Sequence, residues 1–107
     1  MTICFQKTHQ PAFGTWPLKA QVLRGVIEAA VAAGDRAFDS AQMYRTEAEA
    51  GAALAGCDVA RGERCVTTKV QPDNCTPERF LASVEQSLRD LRLDVVDSIC
   101  IASVHAF

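Results

Sequence analysis

The sequence predicts an α/β fold, half of a (β/α)8 TIM barrel with about four parallel strands and three helices. Segments with helical periodicity alternate with segments of strand length along the chain, as parallel βαβ units require. The segments between strands are long enough for helical crossovers. No G-x-G-x-x-G follows the first strand, although the competing doubly wound sheet usually announces a nucleotide there. At 107 residues and 49% hydrophobic content, residues 1–107 suffice for a single domain with its own core.

The first strand is expected around residues 12 to 16. Leu18, Val22, Leu23, Val26, Ile27, Ala30 and Val31 recur at three and four residues, which predicts an amphipathic helix over about 18 to 33, closed by Gly34 in a left-handed cap. Residues 36 to 41, RAFDSA, are too few for a helix and predict a strand ending near Asp39. Thr46-Glu-Ala-Glu49 has the capping-box form, in which hydroxyl and carboxylate each satisfy a free backbone N–H. A second, alanine-rich helix is expected from Thr46 to Gly56. CVTTKV at 65 to 70 is β-branched and predicts a strand. Thr76-Pro77-Glu78 offers a capping hydroxyl, a first-turn proline and an acid at the positive helix end. The third helix would then carry Phe80, Leu81, Val84, Leu88 and Leu91 on its apolar side. VVDSICI at 95 to 101 predicts a strand covered on both faces, with Cys100 as a small apolar filler.

Eleven Lys and Arg are spread among thirteen Asp and Glu, for a net charge of −2. No basic footprint for nucleic acid results. Five cysteines, at 4, 57, 65, 75 and 100, form no C-x-x-C pair and no zinc spacing, so no metal is expected and free thiols in a reducing cytosol are the simplest reading. The opening MTICFQKTHQ lacks the apolar core and cleavage site of a secretory signal, and no segment is long and apolar enough to span a bilayer. The expected location is the cytoplasm.

Chemistry concentrates at strand ends, which face the ligand site in parallel α/β folds. Asp39, Tyr44 and Lys69 fall at or just after such ends. A phenol gives up its proton reluctantly, and a neighbouring ammonium stabilises the phenolate. Lys69 can supply that charge, and Asp39 can offset the cost of keeping a partly buried lysine protonated. Taken singly, each has a plainer reading: Asp39 as a loop acceptor, Tyr44 as a half-buried aromatic, Lys69 as a solvated side chain.

PAFGTWPL at 11 to 18, AGDRAFDSAQMYRTEAEAG at 33 to 51, VTTKV at 66 to 70 and TPERFLASVEQSLRDLRLDVVD at 76 to 97 together resemble the amino-terminal half of an aldo-keto reductase, ending after the fourth barrel strand. The likeness is greatest to the bacterial 2,5-diketo-gluconate reductases. The resemblance implies reduction of aldehydes or ketones with NADPH. It implies Tyr44 as the acid, Lys69 as its partner and Asp39 as the partner of the lysine. It implies Gly14, Thr15, Trp16 and Asp39 as cofactor contacts, with a small carbonyl compound as substrate.

Two positions depart from the family pattern. The first strand, Ala12-Phe13-Gly14-Thr15-Trp16, is two residues shorter than the family's, a change that preserves side-chain alternation. Ala102 stands where the family carries a substrate-orienting histidine; His105 follows three residues later, and His9 has no motif around it. The family's adenosine-phosphate contacts come from later strands and helices, so NADPH binding and reductase activity by this chain are expected to be weak or absent. A half barrel also leaves open sheet edges and an uncovered face, which predicts self-association as a homodimer. A non-catalytic half-barrel binding or assembly module is the alternative function.

Overall fold

The computed structural model describes residues 12–101. Strands and helices alternate: β1 (Phe13–Gly14), α1 (Ala20–Ala32), β2 (Ala37–Asp39), α2 (Glu47–Ala55), β3 (Cys65–Val70), α3 (Phe80–Leu91) and β4 (Ser98–Ile101). Short 3-10 turns occupy Gln42–Tyr44, Arg61–Glu63 and Pro72–Asn74. All strand pairs are parallel, and the sheet order is β1-β2-β3-β4. Successive strands are therefore neighbours with one helix across each connection, the winding of a (β/α) barrel. A doubly wound sheet would reverse its strand order partway.

Helix α1 ends as its sequence predicts. The Gly34 N–H donates to Val31 O (3.0 Å) and the Asp35 N–H to Ala30 O (2.9 Å), the paired bonds of a Schellman cap. Gly34 has φ 107°, a conformation that costs glycine little and other residues much. Leu23, Ile27 and Ala30 of α1 meet Phe38 of β2, Val66 of β3, Ala50, Ala53 and Leu54 of α2 and Leu91 of α3 in one core. That core lies on the helix side of the sheet. In β3, Val66, which joins this core, Thr68 and Val70 are buried, and Cys65, Thr67 and Lys69 are half-buried on the opposite face. Period-2 alternation thus separates a packing face from a face free for chemistry.

Four expectations from the sequence need correction. The Thr46 capping box does not form: Thr46 is the N-cap of α2 without a side-chain cap bond, and its hydroxyl is buried with no partner. The regular turns of α3 begin at Phe80 rather than at Thr76; Thr76 Oγ1 instead accepts the Arg79 N–H at 3.3 Å, capping the irregular turn that leads in. Strand β4 is not covered on both faces. It is exposed at every residue, because among the described residues it lies at the edge of the sheet with a neighbour only at β3. Ile99 and Ile101, at 39% and 67% exposure, pair in register with Thr68 and Val70, both of which are buried. Cys100 is likewise exposed rather than a buried filler. Finally, Cys57, Cys75 and Cys100 are free thiols, whereas Cys65 is disulfide-bonded. Among the described residues, no helix is long and apolar enough to cross a membrane.

Candidate active site

Asp39 is the last residue of β2, in register with Gly14 of β1 and Thr67 of β3. Thr15, fully buried, donates both its N–H (3.1 Å) and its hydroxyl (3.0 Å) to Asp39 O. The Ser40 N–H donates to Thr67 O at 2.8 Å, so the sheet holds this segment from both sides. The chain then folds into the turn Gln42–Tyr44, closed by Arg45 at φ 58°, which carries Tyr44 back over the end of β3. Lys69, on the face of β3 turned away from the helices, meets it there.

Lys69 Nζ donates to Tyr44 Oη at 2.9 Å and to Asp39 Oδ2 at 3.3 Å. The three polar residues read from the sequence thus share one cluster. Burial alone pulls the Lys69 ammonium below its ordinary value; the bond to Tyr44 and the charge of Asp39 more than offset this, and the net direction is up. Lys69 is held as a cation. Trp16, 63% exposed, lies against the Tyr44 ring with centroids 5.3 Å apart. Asp39 Oδ1 is buried and has no partner. Beside it in register, Gly14 has open space: an added Cβ would meet nothing within 4 Å. Ala102, His105 and His9 lie outside the described residues.

A second polar cluster sits on the helix side of the same segment, and sequence reasoning missed it. Glu47 opens α2 and is only 6% exposed. Its carboxylate accepts the Thr68 hydroxyl from β3 and the Ser87 hydroxyl from α3 at 2.9 Å. A signal for it existed. Glu47 precedes Ala50, Gly51 and Leu54 by three, four and seven residues, which puts it on the buried face of α2. Ser87 shares the helical stripe of Phe80, Val84 and Leu91 in the same way. Beside this cluster opens a cavity of about 390 Å³ lined by residues that include Arg45, Gln71, Gln86 and Asp90. None of Asp39, Tyr44 and Lys69 lines it.

Burial pushes the Glu47 carboxyl above its ordinary value of 4.5, with the Thr68 and Ser87 bonds pulling it partly back and the charge of Asp90 pushing it further up. Between the unfolded and folded values the native state holds the extra proton, so stability falls as pH rises through that window. Glu47→Gln, which cannot ionise, is expected to remove this slope. Thermal melts from pH 4 to 8 should show the wild type losing stability relative to the variant as pH rises above 4.5. A constant gap would mean that Glu47 titrates alike in both states.

A model of the Aldo/keto reductase family matches residues 10–106. Among curated proteins, the chain is 40% identical over 89 residues to methylglyoxal reductase DkgB of Salmonella typhi, covering 81% of this chain and 33% of that protein. To the protein of the same name from Yersinia pestis it is 34% identical, with the same shares. Its fold superposes on an aldo-keto reductase from a Medee basin deep-sea metagenome library with a TM-score of 0.82 at 32% identity, covering 86% of this chain and 35% of the other. Against a crystal structure provisionally designated a 2,5-diketo-D-gluconic acid reductase B, the TM-score is 0.80 at 39% identity, covering 82% and 31%. The chain spans about a third of the length of these relatives. By this match over nearly its whole length, the chain belongs to the aldo/keto reductase family.

Proposed function

We propose that this segment carries the proton-donating part of an NADPH-dependent carbonyl reductase site, acting on small aldehydes or ketones. The observation that supports it is Lys69 Nζ within hydrogen-bond reach of both Tyr44 Oη and Asp39 Oδ2. Tyr44 would hold a proton toward the carbonyl oxygen. Lys69 would stabilise the charge left on the phenol oxygen once that proton is given up. Asp39 would keep Lys69 oriented and charged. The residues present fit the cofactor in one respect: the unpartnered Asp39 Oδ1 is an acceptor in want of a donor, beside the open space at Gly14. Gly14, Thr15, Trp16 and Asp39 would hold the nicotinamide end of NADPH, which supplies the hydride when bound.

The test is NADPH binding followed by fluorescence of Trp16, the single tryptophan of the chain, with mass measured by light scattering in the same buffer. Methylglyoxal is the first carbonyl to try, since the similar curated proteins bear its name. Saturable quenching with NADPH consumption would support the reductase reading, against the weak or absent binding expected from the sequence. Absence of quenching at millimolar cofactor would reject the reductase reading for this chain alone.

One observation favours a second reading, a self-associating half-barrel module without catalysis. Among the described residues, strands β1 and β4 are both open edges of a parallel sheet, and Ile99, Ile101 and Val95 stand exposed beside one of them. Such an edge favours pairing with a second copy in the cytoplasm. A dimer that binds no NADPH would support this reading over the first.

A further inference from the structure

Gln42 opens the turn that ends at Tyr44, and every hydrogen-bonding site of its side-chain amide is used. Its Nε2 donates to Ser83 Oγ at 3.1 Å and to Ser87 Oγ at 3.2 Å, both on α3. Its Oε1 accepts the Gln71 N–H at 3.1 Å and Asn74 Nδ2 at 2.8 Å. The neighbours fix which way round the amide lies. Ser83 already spends its hydroxyl proton on Phe80 O (2.8 Å) and Ser87 on Glu47 Oε1 (2.9 Å). Both serines must therefore accept from Gln42, while the Gln71 N–H can only donate to it. A flipped amide would face donors with donors.

These bonds join three elements at one point: the turn bearing Tyr44, the residues just past β3, and α3. Gln71 is two residues beyond Lys69, so a bond at Gln71 fixes the turn to the strand that carries the lysine. We propose that Gln42 is a positioning residue, whose amide pins the turn against β3 and α3 and thereby holds Tyr44 Oη against Lys69 Nζ. It touches neither of them, and the proposal rests on the reading of Tyr44 and Lys69 as a proton-donating pair. An alanine here would leave Ser83 and Ser87 without their donor and free the turn to swing. A glutamate would keep the two acceptor bonds but lose both donor bonds. For Ser87 to compensate it would have to abandon Glu47, and for Ser83, the Phe80 carbonyl.

The experiment follows the titration of Lys69 by carbon-13 NMR of its ε-carbon in the wild-type chain, Gln42→Ala and Gln42→Glu; Lys7 and Lys19 are the other lysines. The Tyr44 bond holds the Lys69 titration up, so both variants are expected to titrate at lower pH than wild type, Gln42→Ala by more because the new carboxylate of Gln42→Glu itself favours the Lys69 cation. Trp16 should become more accessible to acrylamide as the Tyr44 ring leaves it. Gln42→Glu keeps the size of the side chain, so the comparison survives if the alanine variant does not fold. Gly51→Ala, which strains the packing of α2 on α3 away from Lys69, controls for general loosening and is expected to leave the Lys69 titration unmoved. An unchanged Lys69 titration in a folded Gln42 variant overturns the proposal, as does an equal drop in Gly51→Ala. Neither readout needs NADPH or a carbonyl. A chain that reduces nothing yet shows the drop overturns the reductase reading and keeps the positioning role.

Discussion

Gly51→Ala is expected to destabilise the chain by about 2 kcal/mol, although it places the best helix former inside a helix. A Cβ built at Gly51 would lie 2.3 Å from Asp90 O, 2.7 Å from Leu91 Cα and 2.8 Å from Leu91 C. All three are backbone atoms of α3, so no side chain can rotate to make room. Helices α2 and α3 would have to separate, opening the seam between Leu54 and Leu91, both core residues. Helix propensity returns only about 1 kcal/mol, less than the loss from overpacking and reopened core. For a chain of this length a 2 kcal/mol loss lowers the melting temperature by roughly 10 °C.

The companion variant is Gly25→Ala in α1. There an added Cβ would meet nothing within 4 Å, and the same substitution should raise stability by about 0.5–1 kcal/mol. Melting the two side by side decides the matter. If Gly51→Ala melts at or above wild type, the helices do not approach as closely as the geometry has it.

What the sequence disclosed about this fold follows which signals are local. The end of α1 was legible because Gly34 alone supplies the left-handed residue the cap needs. Strand β3 is legible from its β-branched run, and the ends of β2 and β3 point to Asp39 and Lys69 from sequence alone. The Glu47 cluster was not, because Thr46-Glu-Ala-Glu49 fits a capping box locally and the competing demand is tertiary. Thr68 and Ser87 come from 21 and 40 residues away, and only the buried face of α2 hinted that Glu47 turns inward. Strand β4 misled for the opposite reason. Its apolar run states what it could bury, whereas its position at the sheet edge decides what it does bury. Gln42 gave no signal at all, since an isolated glutamine between two apolar residues reads as surface until its partners are in place.

If the chain has the proposed reductase activity, Tyr44→Phe should leave the fold intact and lower carbonyl reduction by about 100- to 10,000-fold, the usual contribution of a positioned proton donor. The substitution removes one oxygen. The ring that meets Trp16 at 5.3 Å stays, so circular dichroism and melting temperature should stay with it. What changes is the environment of Lys69, which loses the acceptor at 2.9 Å but keeps Asp39 Oδ2 at 3.3 Å. Its titration should therefore move down while its charge at neutral pH persists. Lys69→Met makes the complementary change, leaving the phenol without the cation that stabilises its departing charge; the same activity should fall, with Tyr44 still in contact with Trp16. If Tyr44 and Lys69 act as one unit, the double variant should be little worse than either single one, since effects within a catalytic unit are far from additive. Additive losses would mean that two separate features had been removed. Equal rates in Tyr44→Phe and wild type would mean the proton comes from elsewhere, and the cluster at the end of β3 would then hold the fold rather than the chemistry.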